Sequence, residues 1–421
     1  MITHYNIITR TALIICMIFA VNFSAHAQED ISDDEVVTDS LLTDTLTTSQ
    51  HALPWTEQVR THINRLLESD MFRTSQVGIM VYDLDADSAI YTHNERQLMR
   101  PASTMKVITA ITAIDKLGGS YRFKTELCYT GDVSNGTLNG NVYCVGGFDP
   151  RFNIDDMRAF VEGIRKMGVD TIRGNIYADK TMKSADTLGS GWCWDDDNPI
   201  LSPLLISRRN VFVKRFVDEL REAGIVVEAT LGEARKPDDA YCIASRFHSI
   251  DQILMRMLKE SDNLYAESMF YQLAASTGNR RATAKDAATV IGRLINKVGL
   301  NPRRYQIADG SGLSLYNYVS AELEVKLLRY AFRNNNIYLH LHPALPEAGV
   351  DGTLRRRMRG TFTQGNVFAK TGTVKGISSL AGYCTAANGH HLAFAIINQG
   401  VMHHSNGRAF QDRVCTILCQ P

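Results

Sequence analysis

A change of character in the middle of the chain constrains the fold more than any other feature. From about Thr130 to Arg246 the sequence has closely spaced glycines, short apolar runs and few long helical periods, which is typical of a β-rich module with tight turns. Longer strand and helix patterns stand on both sides of this stretch. Because residues 53–421 also exceed the length of one ordinary domain, we predict an α/β domain that is interrupted by an inserted domain.

The flanking patterns predict the elements of the outer domain. Val77 to Leu84 and Ala89 to Thr92 alternate as strands around a turn-rich tetrapeptide, so they predict a β-hairpin. A second hairpin is predicted around Asn388-Gly389, a dipeptide that favours tight turns between strands. The two apolar runs that it joins are Ser378 to Thr385 and Leu392 to Asn398, and the helical patterns are Ser103 to Leu117, Ile250 to Leu273, Ala282 to Val298 and Gly407 to Cys419.

The N-terminus has the composition of an export signal. An apolar run from Thr11 to Phe23 is followed by Ser24-Ala25-His26-Ala27, a small-x-small cleavage pattern. We therefore predict a secretory signal peptide over residues 1–27, cleaved after Ala27. The alternatives are a membrane anchor, for which the run is short, and lipidation of Cys16, which a bulky preceding residue disfavours.

The segment after the signal is acidic and polar. Residues 28–52 contain seven acidic residues and no Lys or Arg, which predicts a disordered tether. The whole chain has 45 basic and 45 acidic residues, and no basic stripe interleaved with aromatics accompanies them, so a nucleic-acid partner is not expected. Export past an inner membrane places the predicted protein in the periplasm.

The cysteine and histidine patterns do not predict a metal or cofactor. No pair of cysteines has C-x-x-C spacing, so zinc is not expected. His340 and His342 alternate as on a strand, but no carboxylate or cysteine stands at ligand spacing beside them. In an oxidising compartment some cysteines are expected to pair, and the hairpin-like separation of Cys128 and Cys144 suggests a disulfide between them.

Ser103 and Lys106 form a candidate nucleophile and base. Pro101 before them places Ser103 in the first turn of its helix, and positions i and i+3 share a helix face, so the amine can reach the hydroxyl. A lysine acts as a base only when neutral, and a second cation or the positive end of a helix would lower its pKa. Alone, the pattern equally fits an ordinary surface helix.

Two further motifs follow in the chain. Ser261-Asp262-Asn263 lies in the helical pattern from Leu258 to Met269, where a polar helix face is the plain alternative. Lys370-Thr371-Gly372-Thr373 stands where a strand should begin. There Gly372 would let a substrate backbone approach the strand edge, and Lys370 offers a cation to a terminal carboxylate.

The order of the three motifs separates them from coincidence. Ser-x-x-Lys, Ser-Asp-Asn and Lys-Thr-Gly, in that order, are the signature of penicillin-binding proteins and serine β-lactamases. Longer strings make the chain resemble the class C low-molecular-mass penicillin-binding proteins, which are D-alanyl-D-alanine carboxypeptidases that also act as endopeptidases. The strings are 101–106, 261–267, 309–314, 349–354, 369–373 and 376–383, together with 140–143, 146–150 and 191–196 of the inserted segment.

The resemblance implies a fold and a domain arrangement. The expected fold is the α/β transpeptidase fold of penicillin-binding proteins and serine β-lactamases, an antiparallel sheet flanked by helices, with an inserted β-rich domain. Residues 53–129 and 246–421 would form the peptidase domain and residues 130–245 the insertion. The 157 residues between Ser103 and Ser261 are fewer than is usual in this family, which implies that one of its two inserted domains is reduced or absent.

The resemblance also implies roles for individual residues. Ser103 would attack the carbonyl of a D-Ala-D-Ala bond, Lys106 would take its proton, and the N–H groups of Ser103 and Thr373 would form the oxyanion hole. Ser261 would relay a proton to the leaving amine. Asn263 would hold the acyl side of the substrate, and Lys370, Thr371, Gly372 and Thr373 its terminal carboxylate. Asp309 and Ser311 are possible contacts or only a turn.

The implied substrates are peptidoglycan stem peptides, with β-lactams as covalent inhibitors and no cofactor. Two other functions are weighed against this one. A class A β-lactamase needs a glutamate after Ser-Asp-Asn to direct water, and residues 269–320 contain none. A catalytically silent wall-binding scaffold of the same fold would have no need of the intact Ser103, Lys106 and Lys370. The sequence does not fix the oligomeric state or the choice between carboxypeptidase and endopeptidase.

Overall fold

The computed structural model describes residues 54–196 and 198–420. The predicted signal peptide, its cleavage after Ala27, the lipidation of Cys16 and the acidic tether up to Ala52 lie outside the described residues. Among the residues described, no helix is both long and apolar enough to cross a membrane.

The first sheet has five antiparallel strands in the order β2-β1-β10-β9-β8. The strands are β1 (Gln76–Asp83), β2 (Ser88–His93), β8 (Phe368–Val374), β9 (Ile377–Thr385) and β10 (His391–Gln399). Both predicted hairpins are present, β1 with β2 and β9 with β10. Gly389, at φ +86°, allows the tight turn between β9 and β10.

Helices cover both faces of this sheet. The helices outside the second sheet are α1 (Trp55–Leu67), α2 (Met105–Leu117), α5 (Ile250–Lys259), α6 (Asn263–Ala275), α7 (Ala284–Lys297), α8 (Ala321–Phe332), α9 (Asn335–Leu341) and α10 (His404–Cys419). Neighbouring strand residues point to opposite faces: Met80 packs into the larger apolar core with α2, α6 and α8, while Ile79 and Val81 pack into a second core with α1 and α10. Helix α2 is buried from Met105 to Ile114, so it lies in the centre of the domain.

A second sheet of five strands corresponds to the predicted insertion. Its order is β6-β5-β4-β3-β7, with β4, β5 and β6 parallel and the other pairs antiparallel. The strands are β3 (Arg122–Ser134), β4 (Thr137–Val145), β5 (Thr171–Asp179), β6 (Val226–Glu233) and β7 (Tyr241–Ser249). The sheet therefore contains residues on both sides of the predicted limits, 130 and 245.

The inserted segment contains more helix than its glycine-rich composition predicts. Helices α3 (Ile154–Lys166) and α4 (Phe212–Glu222) connect β4 to β5 and β5 to β6. Parallel strands need such crossovers because the end of one strand and the start of the next lie at opposite ends of the sheet. Phe160 and Phe216 from these helices are fully buried in a third apolar core, so the segment is an α/β module rather than a purely β one.

The suggested disulfide between Cys128 and Cys144 is wrong. Cys128 is bonded to Cys242, and Cys144 is a buried free thiol. The strand register explains the difference: Cys144 of β4 lies opposite Leu127 of β3, whereas Cys128 lies opposite Cys242 of β7. Because successive side chains of a strand alternate between faces, Cys144 and Cys128 point to opposite sides of the sheet.

Candidate active site

Ser103 lies in a tight turn at the entrance of α2. The turn is a 3-10 helix, Ala102–Thr104, that continues directly into α2, so the prediction that Ser103 opens this helix is confirmed. Ala102 has φ +49°, an uncommon conformation for a residue with a Cβ. Ser379 of β9 donates a 2.5 Å hydrogen bond to the carbonyl of Pro101, which holds the turn against the sheet. Ser103 itself remains partly exposed.

Lys106 is fully buried and makes three hydrogen bonds. Its Nζ donates to Ser103 Oγ at 2.9 Å, to Asn263 Oδ1 at 2.7 Å and to the carbonyl oxygen of Ser311 at 2.8 Å. The i,i+3 spacing accounts for the first bond, and the other two come from segments far along the chain. Three other residues singled out in the sequence, Ser103, Asn263 and Ser311, therefore meet at the amine of Lys106.

The pKa of Lys106 is lowered to about 8, mainly because the amine is buried. The carboxylates of Asp309, Glu267 and Asp262 act in the opposite direction. The sequence reasoning attributed a low pKa to a second cation or a helix end, whereas in the structure removal from water is the cause.

The sequence pattern predicted that Ser261-Asp262-Asn263 lies inside a helix, and this prediction is wrong. The motif lies at a break between two helices. Helix α5 ends at Lys259, Ser261 has φ +59°, and α6 starts at Asn263. Asp262 is the N-cap of α6, and its side chain accepts a 3.1 Å hydrogen bond from the N–H of Leu264. Aspartate and serine are favoured at helix N-caps because their side chains accept hydrogen bonds from the unpaired N–H groups of the first helical turn. The break turns the Asn263 side chain toward Lys106.

Asp309 organises the loop that supplies the Ser311 carbonyl. Its oxygens accept hydrogen bonds from Gly312 N at 2.8 Å, Asn317 Nδ2 at 2.7 Å and Trp192 Nε1 at 2.9 Å. Asp309 is 1% exposed, and these contacts hold the loop and the inserted segment together. Ser311 meets Lys106 through its backbone rather than through its hydroxyl.

Glu267 is a site residue that the sequence reasoning did not single out. Its Oε1 accepts hydrogen bonds from Gly310 N at 3.1 Å and Ser311 N at 2.8 Å. Burial, followed by the nearby charge of Asp309, raises the pKa of Glu267 to about 8, so at pH 7 the side chain is mainly neutral. The available signal was a carboxylate in a helix whose residues from Leu264 to Ala274 are otherwise mostly apolar.

Replacing Glu267 with alanine should lower the free energy of unfolding by about 2–5 kcal/mol, because two buried N–H groups would lose their acceptor. Glu267→Gln is the matched control. It is uncharged, as Glu267 mainly is at pH 7, and it keeps an oxygen for both donors, so its loss should be much smaller. Urea unfolding of both variants at pH 7 measures the difference. Equal destabilisation would show that these two hydrogen bonds do not hold the loop.

Lys370, Thr371, Gly372 and Thr373 lie on the edge strand β8, beside the turn of Ser103. Any Cβ at Gly372 would lie 2.8 Å from Pro101 O and 2.9 Å from Ser103 N, so only glycine permits this approach. Lys370 is fully buried and donates to the carbonyl of Thr371 at 2.8 Å. Thr371 donates to Thr353 Oγ1 at 2.8 Å; Thr353 belongs to the 349–354 string, which the sequence reasoning quoted without giving Thr353 a role in the site. The strand edge thus forms one wall beside Ser103.

The described residues include one group of side chains close enough to share a metal ion, namely Asp83, Asp85 and His390. Asp83 Oδ1 caps the turn after β1 by accepting from Asp85 N and Ala86 N, and Asp83 Oδ2 lies 2.6 Å from His390 Nδ1. These hydrogen bonds explain why the three side chains lie close together without a metal ion between them. His340 lies on α9 and not on a strand.

Comparisons with known proteins identify the family of the chain. The chain belongs to the D-Ala-D-Ala carboxypeptidase 3 (S13) family, which it matches over residues 59–205 and 204–420. It is 26% identical to the D-alanyl-D-alanine carboxypeptidase DacB of Haemophilus influenzae, over 76% of this chain and 84% of that protein. It is also 26% identical to the D-alanyl-D-alanine carboxypeptidase of Actinomadura sp., over 86% of this chain and 85% of that protein.

A solved structure shows the same fold. The crystal structure of penicillin binding protein 4 from Haemophilus influenzae superposes with a TM-score of 0.77 at 24% identity, covering 83% of this chain and 97% of that one. That protein has also been solved in complex with a β-lactam. The predicted resemblance to class C penicillin-binding proteins and the predicted fold are confirmed. Family membership makes the chain a serine-type hydrolase of the D-Ala-D-Ala carboxypeptidase class.

Proposed function

We propose that the protein cleaves peptidoglycan stem peptides in the periplasm as a D-Ala-D-Ala carboxypeptidase and endopeptidase, through an acyl-enzyme on Ser103, and that β-lactams acylate the same serine. Support comes from the family match, from the relatives named as D-alanyl-D-alanine carboxypeptidases and from the geometry at Ser103. The proposed location rests on the export signal in the sequence.

One observation carries the assignment of nucleophile and base. Of the three partners of Lys106 Nζ, the Asn263 amide oxygen and the Ser311 carbonyl can only accept hydrogen bonds. When the amine is neutral, two of its positions are its hydrogens and the third is a lone pair. Only the Ser103 hydroxyl can donate to that lone pair, so the neutral amine is directed to take the proton of Ser103.

The reaction then follows from the surrounding groups. Ser103 Oγ attacks the carbonyl carbon of the D-Ala-D-Ala bond while its proton moves to Lys106 Nζ. The N–H groups of Ser103 and Thr373 stabilise the oxyanion. The carbon–nitrogen bond breaks as the leaving amine receives a proton through Ser261, and D-Ala departs. Water then hydrolyses the ester and restores the Ser103 hydroxyl.

The strand β8 binds the leaving end of the substrate in this proposal. Lys370 supplies positive charge, and the hydroxyls of Thr371 and Thr373 donate to the terminal carboxylate. The close approach of Gly372 to the turn of Ser103 supports this assignment, because it brings the strand edge beside the reacting hydroxyl. Asn263, which contacts Lys106, holds the acyl side of the substrate in this proposal.

The two rival functions receive less support. A class A β-lactamase needs a glutamate that directs water onto the acyl-enzyme, and the buried Glu267 instead accepts hydrogen bonds from two backbone N–H groups. A silent scaffold does not account for the bond from the buried Lys106 to Ser103.

Labelling by a fluorescent penicillin, followed by denaturing gel electrophoresis, tests the proposal. We expect a covalent label that persists for minutes or longer, and release of D-Ala from a peptide that ends in D-Ala-D-Ala. No label and no D-Ala release would contradict the peptidase function. A label lost within seconds, with fast penicillin turnover, would favour a β-lactamase.

The rate of acylation should depend on pH through Lys106. Only the neutral amine accepts the proton of Ser103, and its pKa is lowered to about 8 by burial. The neutral fraction therefore rises about tenfold per pH unit below pH 8 and levels off above it. Penicillin acylation at pH 6 should run at roughly one-hundredth of its plateau rate. A flat profile between pH 6 and 8 would mean that Lys106 is not the titrating base.

A further inference from the structure

Three free cysteines lie together under the C-terminal helix. Cys384 of β9 and both Cys415 and Cys419 of α10 are buried in the second apolar core. The other two free cysteines of the described residues, Cys144 and Cys193, lie in the inserted segment. The proposed reaction uses no thiol, so it gives this cluster of three no role.

Cys384 and Cys419 are direct neighbours within the cluster. A hydrogen bond joins their thiols, and this contact is the largest cause, ahead of burial, of the raised pKa of Cys384. The pKa of Cys415 is also raised, but there the main cause is burial and no hydrogen bond to a thiol contributes. The contact therefore selects one pair among the three thiols.

The packing of α10 on β9 fixes this contact. Ser378 and Cys384 are an even number of positions apart, so they lie on the same face of β9. Ser378 Oγ accepts a 3.0 Å hydrogen bond from Gln411 Nε2 of α10, and Asn398 Oδ1 of β10 accepts from the same atom at 3.2 Å. The helix is thus anchored to two strands near its middle, and its last residue, Cys419, reaches Cys384.

We propose that Cys384 and Cys419 form a second disulfide in the mature protein, which ties the end of α10 to β9. The inference rests on the export that the proposed function includes, because disulfides form and persist in oxidising compartments. The disulfide of Cys128 and Cys242 lies in the second sheet, whereas this one stabilises the peptidase domain. It lies behind β9, which pairs with β8, the strand beside Ser103.

The bond forms by exchange with a disulfide donor, such as oxidised glutathione or the active-site disulfide of a thiol oxidoreductase. Cys419 ends α10, and helix ends open more easily than their middles, so its sulfur meets the donor first. That sulfur loses its proton and attacks the donor, whose S–S bond breaks and releases one donor thiol. The Cys384 sulfur then attacks Cys419 in the mixed disulfide and releases the second donor thiol. Two electrons and two protons pass to the donor.

Thiol titration in urea, after oxidation with oxidised glutathione and its removal, tests the pairing. With both disulfides, three of the seven cysteines that follow residue 27 stay free, whereas with Cys128–Cys242 alone five do. Digestion with trypsin without reduction identifies the partners, because residues 376–408 contain Cys384 and residues 414–421 contain Cys415 and Cys419. We expect these two peptides to be linked.

Two single variants separate the cysteines of α10. The linked peptides should persist in Cys415→Ala and disappear in Cys419→Ala. Five free thiols in the oxidised wild type, or glutathione adducts in place of the link, would overturn the proposal. A link that persists in Cys419→Ala and disappears in Cys415→Ala would overturn it too, because Cys415 would then be the partner.

Thermal melting measures what the bond does for the fold. Both variants lose one thiol from the same core, but only Cys415→Ala keeps the bond, so Cys419→Ala should melt about 5 °C lower relative to it when both are oxidised than when both are reduced. Reduction opens Cys128–Cys242 in both variants alike. A difference between the variants that is the same in the oxidised and reduced proteins would show that the bond does not stabilise the domain.

Penicillin labelling separates this inference from the proposed function. If the two peptides are linked but the protein neither takes up penicillin nor releases D-Ala, the peptidase function fails and the disulfide stands. If the protein is labelled and five thiols stay free after oxidation, the disulfide is wrong and the peptidase function stands.

Discussion

Ser103→Ala is expected to abolish both penicillin labelling and D-Ala release, by at least about 10⁴-fold, while the protein stays folded. The hydroxyl is the only protein group that the proposed mechanism uses as a nucleophile, and water, which attacks only the acyl-enzyme, cannot take over the covalent step. Folding should survive because Ser103 is partly exposed, and Lys106 keeps the acceptors Asn263 and Ser311. A gel with fluorescent penicillin and a D-Ala assay measure the loss.

Ser190→Ala is the matched control for this variant. Ser190 lies in the inserted segment close to the site, where its carbonyl accepts from Ser314 Oγ at 2.7 Å, and its own side chain is exposed. Removing its hydroxyl should leave labelling at the wild-type level. Thermal melting checks that both variants fold. Labelling that persists in a folded Ser103→Ala protein would assign the nucleophile to another residue.

Lys106→Arg should stop acylation almost entirely, by about 10³-fold or more. A guanidinium stays protonated at any accessible pH and cannot take the proton of Ser103. The replacement also places a larger cation in a fully buried position that already has three close partners. The rate of penicillin acylation at pH 8, where the wild-type amine is about half neutral, is the decisive measurement.

Lys370→Arg is the variant with which the loss in Lys106→Arg is compared. Lys370 is also fully buried, but its proposed role is only to supply charge to a carboxylate, and arginine keeps that charge. We expect a loss of about tenfold, concentrated in substrates with a free terminal carboxylate. Equal loss of penicillin acylation in the two variants would mean that the roles of the two lysines are assigned wrongly.

Contacts of the site between residues close in the sequence could be predicted, and contacts between segments far apart in the sequence could not. The Ser103–Lys106 bond follows from helix spacing alone, whereas the meeting of Lys106 with Asn263 and Ser311 involves residues more than 150 positions away and could be reached only through the family resemblance. The break at Ser261 was missed because the apolar helical period continues on both sides of it.

The two other differences have the same origin. The disulfide of Cys128 depends on which strands are neighbours and on which face each side chain lies, and sequence separation determines neither. Glu267 was passed over as part of a helix, although a buried carboxylate needs donors and the loop at Gly310 supplies them.

The paired strands β3 and β7, which connect the inserted segment to the rest of the chain, have a consequence for how the enzyme could diverge. β3 and β7 enter and leave it as adjacent strands, the N–H of Ile250 donates to the carbonyl of Tyr121 at 2.9 Å, and Cys128–Cys242 ties the two strands covalently. The host chain thus leaves and returns at nearly one point. A segment of a different shape could replace this one without changing the path of the rest of the chain. Trp192 and Arg208 of the segment contact Asp309 and Asp262 beside the site. Such an exchange would therefore alter substrate choice and leave Ser103 and Lys106 unchanged.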